Sequence, residues 1–119
     1  MRNFRSLEVW TESMELARTV YKITQSLPEE EKFGLVAQMR RAVISISANI
    51  AEGSSRRTAV DFARFLEIAL GSSFELETYL ELVRSFDQNK SNEVSLVMDK
   101  LHLIQKRVNA LRESILKPK

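Results

Sequence analysis

The sequence contains no cysteine, which excludes disulfide scaffolds, iron–sulfur clusters and zinc sites built on thiolates. Its single histidine, His102, leaves no histidine pair for a metal site. Three glycines and two prolines are too few for a multi-turn β fold or a glycine-rich phosphate loop. Apolar runs are too short to span a membrane, and Glu8 and Glu12 interrupt any signal-peptide core. We therefore expect a cytoplasmic protein with no membrane partner.

The composition is that of a small soluble domain. The chain has 119 residues, of which 44% are hydrophobic and 29% are charged. This length fits one domain, residues 1–119, that can bury a core without covalent or metal cross-links. A net charge of +2 is too small to indicate a nucleic-acid-binding protein by itself.

Apolar residues recur at intervals of three and four along most of the chain, and this spacing predicts four helices. We expect them over Leu7–Ser26, over Phe33–Glu52, from Thr58 to a loop at Phe86–Lys90, and from Ser91 to just before Pro118. Short loops between four helices are typical of an all-α, antiparallel up-down-up-down four-helix bundle.

Local signals predict where these helices begin and end. Ser6, Thr58 and Ser91 are candidate N-caps, because short polar side chains can accept a hydrogen bond from the first free N–H groups. Gly53 is the expected left-handed C-cap of the second helix. Gly71 lies in the middle of the third helix, where a small residue favours close approach of a neighbouring helix.

The second helix is apolar around most of its circumference, which is typical of a helix buried on more than one side. One stripe fills the predicted bundle core: Val36, Met39, Val43, Ile46 and Ile50. Further apolar residues lie off that stripe, and the first helix has a similar surplus. Because monomers seldom expose such patches, we predict a homo-oligomer whose interface contains Ile44, Ala48, Ala51, Leu16 and Val20.

A polar stripe runs along the same apolar second helix. Arg41, Ser45, Asn49 and Glu52 share one face by their spacing, and Glu75 of the third helix is an available partner. The stripe could be a ligand or catalytic site, but a structural network is the favoured interpretation because no nucleophile has a neighbouring base. We therefore predict no enzymatic activity, no cofactor and no small-molecule substrate.

Metal binding is also not predicted. Metal sites in helix bundles use Glu-x-x-His pairs, and His102 has only Asp99 three residues before it. A lone Asp-x-x-His sequence is more typical of a helix surface.

Charge is unevenly distributed along the chain. Residues 40–64 hold five arginines against two acidic residues, residues 67–87 hold five acidic residues against one arginine, and residues 90–119 are again mainly basic. One interpretation is a surface for a phosphate backbone, formed by Arg40, Arg56, Arg57, Lys106 and Arg107. The other is a set of solvated helix faces that pair with the acidic third helix within or between subunits.

Three blocks of the sequence carry a family resemblance. FRSLEVWTESMELARTVYKIT, LPEEEKFGLVAQMRRAVISISANIAEG and RFLEIALGSSFELETYL resemble the bacterial 23S rRNA intervening sequence proteins, also called the four-helix bundle protein family. The resemblance implies a small cytoplasmic bundle that assembles as a homopentameric ring, and it supplies no catalytic residues.

Together these observations predict a non-enzymatic, self-assembling bundle that binds RNA or DNA through its arginine- and lysine-rich faces. The alternative is a protein–protein adaptor whose ring presents a surface to a partner enzyme. Related proteins that partner a reverse transcriptase suggest that kind of enzyme.

Overall fold

The structure is a computed structural model that describes residues 3–118, without the side chain of Lys32. Four long helices account for most of this part of the chain: α1 (Glu8–Gln25), α2 (Ala37–Ser54), α3 (Ala59–Phe86) and α4 (Ser91–Leu116). Short 3-10 turns precede α1 at Phe4–Ser6 and α4 at Gln88–Lys90. The predicted all-α four-helix bundle is confirmed.

The helices pack in the order of the sequence around one core. Each is a neighbour of the next, and α4 closes the bundle against α1. The bundle measures 49 × 22 × 20 Å, which corresponds to side-by-side helices of this length. The α2–α3 and α4–α1 pairs therefore form opposite faces. None of the helices described here is long and apolar enough to cross a membrane.

All four helices supply fully buried side chains to the core. The predicted core stripe of α2 is correct, since Met39, Val43, Ile46 and Ile50 are all 0% exposed. Leu66, Leu76 and Leu80 from α3 and Val94 and Leu101 from α4 meet this stripe.

In α1 the predicted orientation is wrong. Leu16 and Val20, expected at a subunit interface, are 1% and 0% exposed and belong to the core of the single chain. The neighbouring stripe with Trp10, Ala17 and Tyr21 is only half-buried. Both stripes have helical spacing. The buried face contains mainly aliphatic side chains, and its Ser13 hydroxyl donates to the carbonyl of Trp10, whereas tryptophan and tyrosine have a polar tip that favours the bundle edge.

Of the three predicted N-caps, Thr58 is confirmed, and Ser6 and Ser91 are not N-caps. Thr58 is the N-cap of α3, since its hydroxyl accepts a hydrogen bond from the N–H of Asp61 at 3.1 Å. Ser6 instead lies in a 3-10 turn, where its hydroxyl donates to the carbonyl of Asn3, and Leu7 occupies the N-cap of α1. Ser91 is the first residue of α4 rather than its cap.

The two ends of α2 also differ from expectation. Its predicted first turn is a separate π-helical turn, Lys32–Val36, which continues into α2 at Ala37. Gly53 lies inside the last turn and has no left-handed backbone. A Cβ there would lie 2.6 Å from the Cβ of Phe65 in α3, so this glycine permits close packing rather than ending the helix.

Candidate functional site

The outward surface of α2 and α3 keeps apolar side chains in contact with solvent. Its α2 part contains Ile44, which is 46% exposed, and Ala48; Ala51, beside them, is half-buried. Ile44 lies on the α1 side of α2, since it is one turn after Arg40, which contacts Thr24 and Tyr21 of α1. These are the predicted interface residues of α2, and the structure leaves the first two accessible.

The α3 part of this face is defined by a hydrogen bond between the two helices. The hydroxyl of Ser72 donates to the hydroxyl of Ser45 at 2.8 Å, which places the edge of α3 beside α2. Ile68, one helical turn before Ser72, is 46% exposed, and Leu82, two heptads after Ile68, is 47% exposed; Gly71 lies between them in sequence. We call Ile44, Ala48, Ile68, Gly71 and Leu82 the outer face.

Gly71 has a different surrounding from the one predicted. α3 continues through it without a break, but no atom lies within 4 Å of where its Cβ would be. The small residues that face the bundle are instead the buried Ser72 and Ser73. Within the single chain, the glycine therefore lines open surface rather than a helix crossing.

The predicted polar network divides into three separate parts. Asn49 donates from Nδ2 to the carbonyl and hydroxyl oxygens of Ser45, at 2.8 and 3.0 Å. Glu52 forms an ion pair with Arg56 at 3.1 Å, outside that group.

Glu75 accepts a hydrogen bond from the Tyr79 hydroxyl at 3.1 Å, which raises the pKa of Tyr79. Arg41 is exposed on the surface and is close enough to lower that pKa slightly. Ser72 was missed because its partner lies on another helix, whereas the Glu75–Tyr79 pair has the i,i+4 spacing from which it could have been predicted. Of these contacts, the Ser72–Ser45 hydrogen bond joins α2 to α3, and the others connect residues one turn apart.

The five predicted nucleic-acid-binding residues are not brought together. Arg40 lies where α2 begins and is held internally: its Nε donates to the Thr24 hydroxyl at 2.9 Å, and its guanidinium stacks over Tyr21. Arg56 and Arg57 lie at the opposite end of α2. The structure therefore separates Arg40 from the rest.

Lys106 and Arg107 are also remote from the α2–α3 connection. Arg112 pairs with Glu67, eight residues into α3. Lys106 lies six residues before Arg112, so at 1.5 Å per residue it is about 9 Å farther along the bundle than Arg112 and about 20 Å from the α2–α3 connection. Arg107 forms an ion pair with Glu12 of α1. Its charge is already partly neutralised, while Lys106 is exposed.

Exposed cations also lie on three elements at the end of the bundle that holds residues 55–58. Arg57 lies in that connection, Arg64 on the second turn of α3, and Lys117 immediately after α4. We call Arg57, Arg64 and Lys117 the loop-end cations. Arg64 and Lys117 were not singled out from the sequence, because only the antiparallel packing places the start of α3 and the end of α4 at one end.

A second group of titratable residues bridges α3 and α4. Gln105 donates to Glu77 Oε1 at 3.0 Å, and His102 Nε2 lies 3.4 Å from Glu77 Oε2. The Gln105 hydrogen bond, followed by the nearby His102, lowers the pKa of Glu77 below 4.5 against the opposing effect of burial. Over residues 3–118 no three acidic or histidine side chains are placed to hold a metal ion. The group therefore forms a helix-to-helix contact.

The four helices and their packing order define a small antiparallel four-helix-bundle protein. The family model for 23S rRNA-intervening sequence proteins matches residues 5–110, and the chain belongs to that family.

A similar solved structure is that of a protein with unknown function from the S23 ribosomal protein family of Bacteroides thetaiotaomicron. It is 26% identical, with a TM-score of 0.80 over 87% of this chain and 97% of the other. A search of curated proteins found no match.

Proposed function

We propose that the protein is a non-enzymatic bundle that assembles into a homo-oligomeric ring and binds RNA or DNA through the loop-end cations. The observation that supports assembly is the outer face, where three large aliphatic side chains remain nearly half exposed. Burying each contributes roughly 1 kcal/mol or more, which favours association of copies. The family resemblance suggests five copies.

Each subunit has only three loop-end cations, and a ring increases the number that can bind one polyanion. In a cyclic ring every copy presents the same end to the same side, so Arg57, Arg64 and Lys117 are repeated in each subunit. Several weak phosphate contacts on one assembly then act together and raise the overall affinity.

Salt dependence tests the nucleic-acid interface. Replacing both Arg57 and Arg64 by alanine should reduce the slope of log affinity against log salt concentration by about two for each subunit in contact. Gel-shift titrations with a structured RNA and a DNA duplex over a series of salt concentrations provide the measurement. Arg18→Ala is the control, since Arg18 is also exposed but lies on the middle of α1.

An unchanged slope in the double variant would contradict the assignment of these residues. Failure of the unmutated protein to bind either nucleic acid at low salt would contradict the nucleic-acid function altogether.

A protein–protein adaptor is the second candidate, and the opposite end of the bundle favours it. Phe33 is 87% exposed and Phe86 is 55% exposed. They occur near the α1–α2 and α3–α4 connections, beside the acidic turn Glu29–Glu31. Exposed aromatics are typical of protein contacts. A pulldown from native lysate with and without nuclease separates the two functions, because only protein contacts survive nuclease.

A further inference from the structure

A small pocket lies where the end of α1, the connection after it and the start of α2 meet. Its volume is about 170 Å³, comparable with a cavity of ~150 Å³ that holds one benzene molecule. Leu27 and Val36, 8% and 7% exposed, and Pro28 form the apolar part of its lining. Val36 ends the π-helical turn Lys32–Val36, and such turns are frequent at functional sites. The pocket therefore has room for the compact apolar body of a small organic molecule.

Arg40 lines this pocket with a guanidinium group that is held in one orientation. Its Nε donates to the Thr24 hydroxyl at 2.9 Å, and its Nη2 donates to the Tyr21 carbonyl at 3.4 Å. The guanidinium also stacks over the Tyr21 ring, 4.3 Å from the ring centroid. Thr24, which lines the pocket beside Arg40, is itself 3% exposed. Because these contacts already order the arginine, an anion that binds it loses little affinity to side-chain ordering.

The same contacts leave one edge of the Arg40 guanidinium available. Nε and Nη2 form the side edge of the group, which Thr24 and Tyr21 occupy. Among residues 3–118, no acceptor contacts the end edge, formed by Nη1 and the second N–H of Nη2. Two parallel N–H groups of this kind match the two oxygens of a carboxylate. Since Arg40 lines the pocket, we expect a ligand there to reach this edge.

We propose that this pocket binds a small organic monocarboxylate, whose carboxylate pairs with Arg40 and whose apolar body lies against Leu27 and Val36. Glu29, in the exposed turn Glu29–Glu31, also lines the pocket. Its negative charge opposes a doubly charged phosphate more than a singly charged carboxylate. The inference goes beyond the proposed nucleic-acid interface, because Arg40 lies at the other end of α2 from Arg57.

Heteronuclear NMR titrations of the full chain test the ligand class, with sodium benzoate and sodium isovalerate as probes. Both should shift the amide resonances of residues that line the pocket, among them Thr24, Gln25 and Arg40. Benzyl alcohol lacks the charge and inorganic phosphate lacks the apolar body, so each should bind about tenfold more weakly or worse. No shift with either carboxylate would overturn the proposal, as would phosphate binding as tightly as benzoate.

Substitution of the arginine tests the residue that pairs with the carboxylate. Arg40→Gln should weaken benzoate binding by about tenfold or more, because charge-assisted hydrogen bonds are lost. Arg41→Gln is the matched control, since Arg41 is the next residue of α2, is exposed and does not line the pocket. It should bind benzoate like the parent. Equal affinity of Arg40→Gln and the parent would overturn the proposal.

A second pair of variants leaves the contacts of Arg40 intact. Gln25 is exposed at the end of α1 and lines the pocket, so its substitution should preserve the helical circular dichroism. Gln25→Glu should weaken benzoate binding and Gln25→Lys should strengthen it, and added salt should reduce both effects. Equal affinities of the two variants at low salt would place benzoate elsewhere and overturn the proposal, even if Arg40→Gln failed to fold.

Discussion

At the scale of single residues, Glu77 illustrates how neighbours on another helix set the properties of a side chain. Gln105 and His102 both belong to α4, and both lower the pKa of Glu77 on α3. A carboxyl whose pKa is lower in the folded state than its usual 4.5 stabilises the fold above that pH. The stabilisation is lost as the pH falls from 4.5 through the lower folded-state pKa.

Replacing Gln105 by methionine should therefore raise the pKa of Glu77, because the largest cause of the shift is removed. The variant should unfold more easily than the parent above pH 4.5, and the difference should shrink as the pH falls below it. Urea unfolding over a pH series and NMR titration of the Glu77 carboxyl measure both effects.

The control for this prediction is Gln105→Met in a Glu77→Gln background. There the pH-dependent part of the change in the free energy of unfolding should vanish. Identical Glu77 titration curves with and without Gln105 would contradict the prediction.

At the scale of helices, the approach of α2 to α3 depends on the absence of a side chain at Gly53. The ideal Cβ position lies 2.6 Å from Phe65 Cβ and 3.0 Å from Phe62 Cδ1. Phe62 is 4% exposed, so it has little room to move. Close packing of the two helices at this end is therefore incompatible with a larger residue.

Gly53→Ala should lower the free energy of unfolding by about 1–3 kcal/mol, even though alanine favours the helix, because it overpacks the contact. Urea denaturation followed by circular dichroism measures the change. At Gly71, where no atom lies within 4 Å of the Cβ position, the same substitution should instead stabilise the chain by up to about 1 kcal/mol. Equal stability of Gly53→Ala and the parent would show that the contact relaxes.

Helix boundaries were predictable where a local interaction determines them. The cap at Thr58 depends on a hydroxyl and an N–H three residues apart, and the sequence pattern predicted it correctly. The start of α2 was not predictable in this way, since no side chain caps it and a π-helical turn leads into it. Ser6 and Gly53 have the residue types of caps, but the entering turn and the α2–α3 packing give them other roles.

At the scale of the whole molecule, the outer face predicts that the folded chain does not remain alone. Ile44→Glu puts a charge into that face, and a buried unpaired charge opposes association. We expect light scattering to shift from an oligomer to a 13.7 kDa monomer while the helical circular dichroism stays unchanged.

Phe74→Glu is the control for this prediction, since it adds the same charge to an exposed residue of α3 outside the outer face. It should leave the assembly intact. A 13.7 kDa mass for the unmutated protein at micromolar concentration would refute the assembly prediction.

The sequence by itself determined the helical class, the four helices and the core stripe of α2, because these depend on periodicity and composition within each segment. It also predicted that Ile44 and Ala48 would lie outside that core. Which of two apolar stripes of α1 faces inward was decided only by tertiary packing, and Leu16 and Val20 are buried there. Tertiary packing also brings Arg40 into contact with Thr24 and Tyr21. It places Arg57, Arg64 and Lys117 at the same end of the bundle. These contacts join residues far apart in the chain, and helical spacing contains no information about which helix lies beside which face.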